Sequence, residues 1–295
     1  MPRATTSDGV GLYWEESGSG APILFVHEFA GDHRSWSPQV RHFSKSHRCV
    51  AYAARGYPPS DVPHDVSSYS QARAVEDAVS VLDAAHVDAA HVVGLSMGGF
   101  ATLHLVLTHP DRVLSAVIGG VGYGAQTEKQ AQFRKESNAI ADAFEAQGSA
   151  AVSESYAVGP ARVQLQNKNP EAWREFKDAL AQHDATGAAN TMRGVQAARP
   201  SLYAMQEQLR AVRTPLLILA GDEDEGSLEP SLMLKRAIPT SALAILPRTG
   251  HTLNLEEPEL FNATVERFIA AVEKGEWGTR DARATAGSIT GVRTS

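Results

Sequence analysis

A chain of 295 residues, 43% hydrophobic and 21% charged, holds enough apolar material to bury a full core as one large domain or as a domain carrying an insertion. Its 27 basic and 34 acidic residues give a formal charge of −7 without any long basic run, which argues against nucleic acid and anionic membrane surfaces as partners. A lone cysteine, Cys49, excludes an intramolecular disulfide and a cysteine-rich metal site. The opening residues lack the apolar stretch of a signal peptide and no window approaches a membrane span, so the expected location is cytoplasmic.

In chain order, residues 5–16 enclose Asp8-Gly9, a tight-turn pair that predicts an antiparallel hairpin at the edge of a sheet. Short apolar runs follow at residues 23–27, 49–53, 91–95, 113–118, 216–220 and 242–246, with helical patterns between them. That alternation predicts an α/β fold: a mostly parallel central sheet, right-handed crossovers and helices on both faces. Cys49 sits in the second run and reads as a buried structural thiol.

The third run ends in Gly94-Leu95-Ser96-Met97-Gly98, and Phe100, Leu103 and Leu107 then mark a helix closed by Pro110. Glycines at 94 and 98 remove Cβ atoms where strand and helix pack closest, so a tight strand-to-helix turn can hold Ser96 strained with its hydroxyl exposed. A serine hydroxyl presented in this way is a candidate nucleophile.

The rhythm breaks once, between residues 124 and 210. No convincing strand appears there; Phe133, Ile140 and Phe144 mark one amphipathic helix, and Trp173, Phe176 and Leu180 mark another, opened by Asn169 as its cap and Pro170 in its first turn. An all-helical insertion between strands of one sheet is most simply a lid over the sheet's carboxyl edge. The expected organisation is a core over residues 1–123 and 211–275, a helical cap over 124–210 and a tail over 276–295, the tail pinned by Trp277.

The serine needs a base, and the base needs an orienting acid, each from a loop at the carboxyl end of a strand. After residues 216–220 comes Gly221-Asp222-Glu223-Asp224, and after 242–246 comes Pro247-Arg248-Thr249-Gly250-His251, ahead of a helix starting near Pro258. Position selects among the 11 histidines. His27, His91, His104 and His109 fall in or beside core elements; His33, His42, His47, His64, His86 and His183 fall in polar loops or on helix faces. His251 alone follows a late strand with glycine immediately before it.

With these motifs the chain resembles the capped α/β-hydrolases over residues 10–272. The resemblance implies Asp224, at the end of Gly-x-x-Asp, as the acid rather than Asp222. It also implies that His27-Glu28-Phe29-Ala30-Gly31 occupies the place of the family's His-Gly turn, so that the backbone N–H groups of Phe29 and Met97 form the oxyanion hole. Arg55-Gly56-Tyr57-Pro58-Pro59-Ser60-Asp61 is similar to a structural loop of the family.

Glu28 departs from the pattern, because a carboxylate beside an oxyanion hole opposes the charge that develops there. Its side chain is expected to turn away and pair with Arg34, His33 or an arginine of the insertion; the alternative is that it orients substrate. A serine in the nucleophile position excludes relatives' epoxide-opening and halide-displacing chemistry, which uses aspartate. The expected activity is therefore cofactor-independent, metal-free hydrolysis of a carboxylic ester or lactone, through an acyl-enzyme on Ser96, with a small molecule bearing a reactive carbonyl as substrate. Three readings stay beside it: carbon–carbon bond hydrolysis of a diketone, perhydrolysis, and slow-turnover ligand sensing. Arg134, Arg162, Arg174, Arg193 and Arg199 of the insertion are expected on solvated helix surfaces, although one facing the cavity would bind a substrate carboxylate bidentately.

Overall fold

Apolar runs whose side chains point to both faces build the protein around one eight-stranded sheet. The computed structural model describes residues 2–285. The chain runs through β1 (Arg3–Thr5), β2 (Gly11–Ser17), β3 (Pro22–Val26), α1 (Ser37–Phe43), β4 (Arg48–Tyr52), α2 (Gln71–Ala84), β5 (Ala90–Leu95), α3 (Met97–Thr108) and β6 (Val113–Gly119). The inserted segment follows, with α4 (Gln130–Tyr156), α5 (Val163–Lys168), α6 (Pro170–Ala181), α7 (Ala185–Thr191) and α8 (Gln206–Ala211). The chain then returns to the sheet with β7 (Leu216–Gly221), α9 (Glu225–Ala237), β8 (Ser241–Leu246), α10 (Leu253–Glu256) and α11 (Pro258–Glu273).

The sheet order is β1-β2-β4-β3-β5-β6-β7-β8, and β2 pairs antiparallel with both β1 and β4 while every other pairing is parallel. The hairpin expected around Asp8-Gly9 is β1 and β2, and Gly9 takes φ 83°, a conformation glycine adopts without strain. Because side chains alternate across a strand, Leu24, Val26, Val92, Ala116 and Ile118 join α2, α3 and α9 on one face. Their neighbours Ile23, Phe25, Val93, Leu95 and Val117 pack with Trp36, Phe43, Phe261 and Phe268 of the α1 and α11 side. Strands covered on both faces read as continuous apolar runs, which is why they stand out in the sequence.

A third apolar cluster joins the inserted segment to the carboxyl ends of the strands. Phe144, Val152, Leu165, Phe176, Leu180 and Met192 pack there with Phe29, Met97 and Leu255. Asn169 caps α6 by accepting from the Ala172 N–H at 3.2 Å. The helix expected around Phe133 to Phe144 continues to Tyr156 but breaks at Gly148, where φ is 79° and ψ 164°. Trp277 donates to the Thr240 carbonyl at 2.7 Å and meets the Phe268 ring edge-on, so the start of the tail is held as expected; residues 286–295 lie outside the described residues. Among the described residues, no helix is long and apolar enough to cross a membrane.

Candidate active site

The ends of β3, β5, β7 and β8 meet at one edge of the sheet, on both sides of the point where chain order reverses between β3 and its neighbours β4 and β5. Crevices at such reversals are where open α/β sheets bind ligands. Ser96 stands between β5 and α3 with φ 54° and ψ −114°, a backbone conformation that L residues avoid. The Ser96 N–H donates to the Gly119 carbonyl at 2.7 Å. A Cβ on Gly94 would stand 2.2 Å from the Gly98 oxygen, and one on Gly98 would stand 2.0 Å from the Val26 oxygen, so the turn can form only with both glycines.

His251 Nε2 lies 2.8 Å from Ser96 Oγ, and His251 Nδ1 lies 2.7 Å from Asp224 Oδ2. Asp224 is buried, and the same oxygen accepts from Ser227 Oγ at 2.6 Å. Burial raises the proton affinity of Asp224, but the charge and hydrogen bond of His251, with the bond from Ser227, outweigh it and hold the carboxyl below its ordinary range. For His251, burial disfavours the charged ring, yet the Asp224 carboxylate overcomes that cost and raises its pKa above the ordinary 6.5. The charge of Arg162 opposes this increase while that of Glu28 adds to it.

The loop bearing His251 is held by carboxylates on both sides. Glu256, buried and without an ion-pair partner among the described residues, accepts from the Gly250 N–H at 2.6 Å, the Thr252 N–H at 2.9 Å and Thr252 Oγ1 at 2.9 Å. Asp222 stays exposed and accepts from the Thr249 N–H at 3.0 Å, so it braces this loop without reaching the imidazole.

A buried histidine sets the other wall. His27 Nε2 accepts from the Ala54 N–H at 3.0 Å, which leaves Nδ1 to carry the proton and donate to the Glu28 carbonyl at 2.7 Å. That carbonyl shares a peptide plane with the Phe29 N–H, so fixing one aims the other the opposite way. Tyr57 Oη donates to the Phe29 carbonyl at 2.8 Å and fixes the next peptide. Burial lowers the His27 pKa to about 4, against the weaker opposing effect of the Glu28 bond, so the ring stays neutral. The Phe29 ring inserts beneath the helical segment, with ring centroids 5.9 Å from Phe144 and 6.1 Å from Tyr156.

Glu28 pairs with Arg162, one of the arginines of the insertion, at 2.5 Å between Oε2 and Nη2. Both side chains are only 2% exposed. The expectation that the arginines of the insertion are surface residues holds for Arg134 and Arg174 and fails for Arg162 and Arg199, which the inserted helices fold over. Arg193 is half-buried and pairs with Asp142 and Glu145. Three histidines placed in polar surroundings by the sequence, His33, His47 and His183, are also buried. His33 and His183 flank the buried Asp32 at 3.8 and 3.7 Å, a contact that needs the insertion folded onto the core.

Glu256, Ser227 and the hydrogen-bonding role of His27 were not read from the sequence. Glu256 lies five residues after His251 on a separate short helix, and only the folded loop shows that its carboxylate reaches back.

A sequence model described as the alpha/beta hydrolase fold matches residues 21–258. The chain is 27% identical over 252 residues to 3-oxoadipate enol-lactonase 1 of Acinetobacter baylyi, covering 85% of this chain and 89% of that one. It is likewise 27% identical over 281 residues to the 2-hydroxymuconate semialdehyde hydrolase of Pseudomonas putida, covering 88% and 90%. Among solved structures, a hydrolase from Pseudomonas aeruginosa PA01 is similar with a TM-score of 0.80 at 25% identity, over 91% of this chain and 98% of that one.

Proposed function

The chain belongs to the alpha/beta hydrolase fold family, and from that premise we propose that it is a cofactor-independent serine hydrolase cleaving a carboxylic ester or lactone through an acyl-enzyme on Ser96. The observation that carries this reading is the continuous hydrogen-bonded chain from Ser96 Oγ through His251 to Asp224 Oδ2. In it, Nδ1–H donates to the carboxylate and the Nε2 lone pair faces the serine hydroxyl, the tautomer a general base requires. We assign Ser96 as nucleophile, His251 as base and then acid, and Asp224 as the group that orients the imidazole and stabilises its charged form.

His251 takes the Ser96 proton as Oγ attacks the carbonyl carbon, and the carbonyl oxygen becomes an oxyanion. The backbone N–H groups of Phe29 and Met97 receive it; one such donor is worth roughly 3 kcal/mol of barrier. Collapse breaks the bond to the leaving oxygen, which takes the proton from His251, and leaves the acyl group on Oγ. Water, deprotonated by His251, then releases the acid and restores the serine. Residues 124–210 act as a cap whose aromatic underside, with Phe144, Tyr156 and Phe176, encloses the acyl group.

The test is hydrolysis of a short-chain 4-nitrophenyl ester, with labelling by a fluorophosphonate read by mass spectrometry. The wild type should turn over repeatedly and take one label, with or without a chelator. Ser96→Ala should take none and lose on the order of a millionfold in kcat while keeping its circular dichroism. Turnover that survives Ser96→Ala would refute the assignment, and a stable adduct without turnover would favour ligand sensing. A diketone in the same panel separates ester cleavage from carbon–carbon cleavage.

A further inference from the structure

Beneath the inserted helices lie two buried arginines that the proposed bond cleavage does not use. Arg162 lies over two aromatic rings, its Cζ 4.8 Å from the Phe176 centroid and 5.5 Å from that of Tyr156. Its Nη2 meets Glu28, while Nε and Nη1 are buried without a hydrogen-bond partner, as is Glu28 Oε1. A guanidinium carries five N–H donors, so a single carboxylate contact on Nη2 leaves both of its edges with hydrogen to give. Arg199, 4% exposed, lies over the Phe100 ring at 4.0 Å and the Phe133 ring at 5.1 Å. Its Nη1 donates to the Tyr123 carbonyl at 3.0 Å, and Nε and Nη2 have no partner.

Each arginine is linked to the proposed reacting groups through one intermediate residue. Phe100 is one helical turn beyond Ser96, and its N–H donates to the Ser96 carbonyl. The Tyr123 ring meets the His251 ring edge-on at 5.6 Å. Arg162 pairs with Glu28, the residue before Phe29, and shares the Tyr156 ring with Phe29. Burial without an anion lowers the Arg199 pKa to about 9, against a weaker effect of Tyr156, as expected for a cation lacking a counter-charge. Buried charges are ordinarily paired. Here Glu28 is the one carboxylate bonded to either guanidinium among the described residues.

We propose that these arginines bind a carboxylate carried by the substrate, so that the ester or lactone cleaved at Ser96 is itself an anion, anchored by the free edge of Arg162 with Arg199 supplying the second positive charge. The inference rests on the serine-hydrolase reading and narrows it to acidic substrates. A planar guanidinium buried over aromatic rings suits bidentate carboxylate recognition, since little side-chain freedom remains to be lost on binding. Glu28 then keeps Arg162 extended over the site between turnovers.

The test compares kcat/KM for mono-4-nitrophenyl adipate and 4-nitrophenyl hexanoate, esters of equal chain length that differ in the terminal carboxylate. Wild type should prefer the anionic ester by about tenfold or more, the range of one charge-assisted hydrogen-bond pair. Arg162→Gln should lower that ratio by about tenfold, and Arg199→Gln should lower it less. The ratio is internal to each variant, so a loss shared by both esters cancels. Where Arg162→Gln does not fold, competitive inhibition of hexanoate hydrolysis by adipate, weakening as salt rises, gives the same answer in the wild-type protein. Cleavage of both esters with no charge preference, and no inhibition by adipate, would remove the anion subsite and leave the serine mechanism intact. Calorimetric binding of adipate to the Ser96→Ala protein covers the converse case: binding there beside a wild type inert to both esters keeps the subsite and removes the mechanism. An absence of adipate binding overturns the subsite whatever the turnover.

Discussion

Glu256→Gln isolates what holds the His251 imidazole in place. The carboxylate of Glu256 accepts the N–H groups of Gly250 and Thr252, one on each of its oxygens, and so grips the chain on both sides of His251. A glutamine keeps the volume but offers one acceptor oxygen and one amide nitrogen. In either orientation the nitrogen faces a backbone N–H, so one buried donor loses its partner. A hydrogen bond to a charged acceptor contributes roughly 1.5–3 kcal/mol, and an unsatisfied buried donor costs roughly 1–3 kcal/mol. These overlap as descriptions of one loss, so the expected destabilisation is about 3 kcal/mol. It should be read as a lower urea midpoint with an unchanged slope. The imidazole is aimed by the same loop, and a misplacement near 1 Å costs on the order of a hundredfold in rate. Initial rates on a 4-nitrophenyl ester should therefore fall by about that factor while the KM changes little. Stability within about 0.5 kcal/mol of wild type together with an unchanged kcat would show that the loop holds its shape without this clamp.

The pH profile of kcat/KM offers a second check. The proposed base, His251, can act only when neutral, and Asp224 raises its pKa, so activity should be low in acid and rise through a midpoint above pH 6.5. Glu28→Gln removes a charge that favours the imidazolium and should move that midpoint down; Arg162→Gln removes one that opposes it and should move the midpoint up. Shifts in the opposite directions would contradict the sign of each charge's effect on the imidazole. Asp224→Asn should lower kcat by roughly ten-thousandfold, because an amide leaves the imidazole in the wrong tautomer, and a loss under tenfold would reassign the acid.

Local signals made most of the fold legible. The six apolar runs become β3 to β8, and β3 to β7 stand out most because strands buried on both faces leave an unbroken apolar record, whereas the edge strand β8 keeps Ile245 exposed. Ser96 and His251 stand out because glycine precedes each where a strand ends, and Asn169-Pro170 marks the start of α6 at its true position. What escaped depends on contacts across long stretches of sequence. Arg162 resembles any surface arginine until Glu28, 134 residues away, and the rings of Tyr156 and Phe176 close around it. His183 reads as a loop residue because Asp32, the group it faces, belongs to another part of the chain. Gly148 takes φ 79° and breaks α4, but an isolated glycine is also tolerated inside a helical pattern, so by itself it does not mark the break.

The register between β6 and β7 has a bearing on how such a protein changes over generations. Ala116, Val117, Ile118 and Gly119 pair directly with Leu216, Leu217, Ile218 and Leu219, as if nothing lay between the strands. The entropy of closing a connection grows only logarithmically with its length, so the sheet scarcely registers how long the intervening chain is. Ser96, Asp224 and His251 all lie outside that connection, whereas Arg162 and Arg199 lie within it. On the proposed assignments, reactivity and selectivity are thereby inherited on separate stretches of sequence. Mutation can rewrite the helical stretch, altering which molecules are admitted, while the atoms assigned to bond cleavage keep their positions.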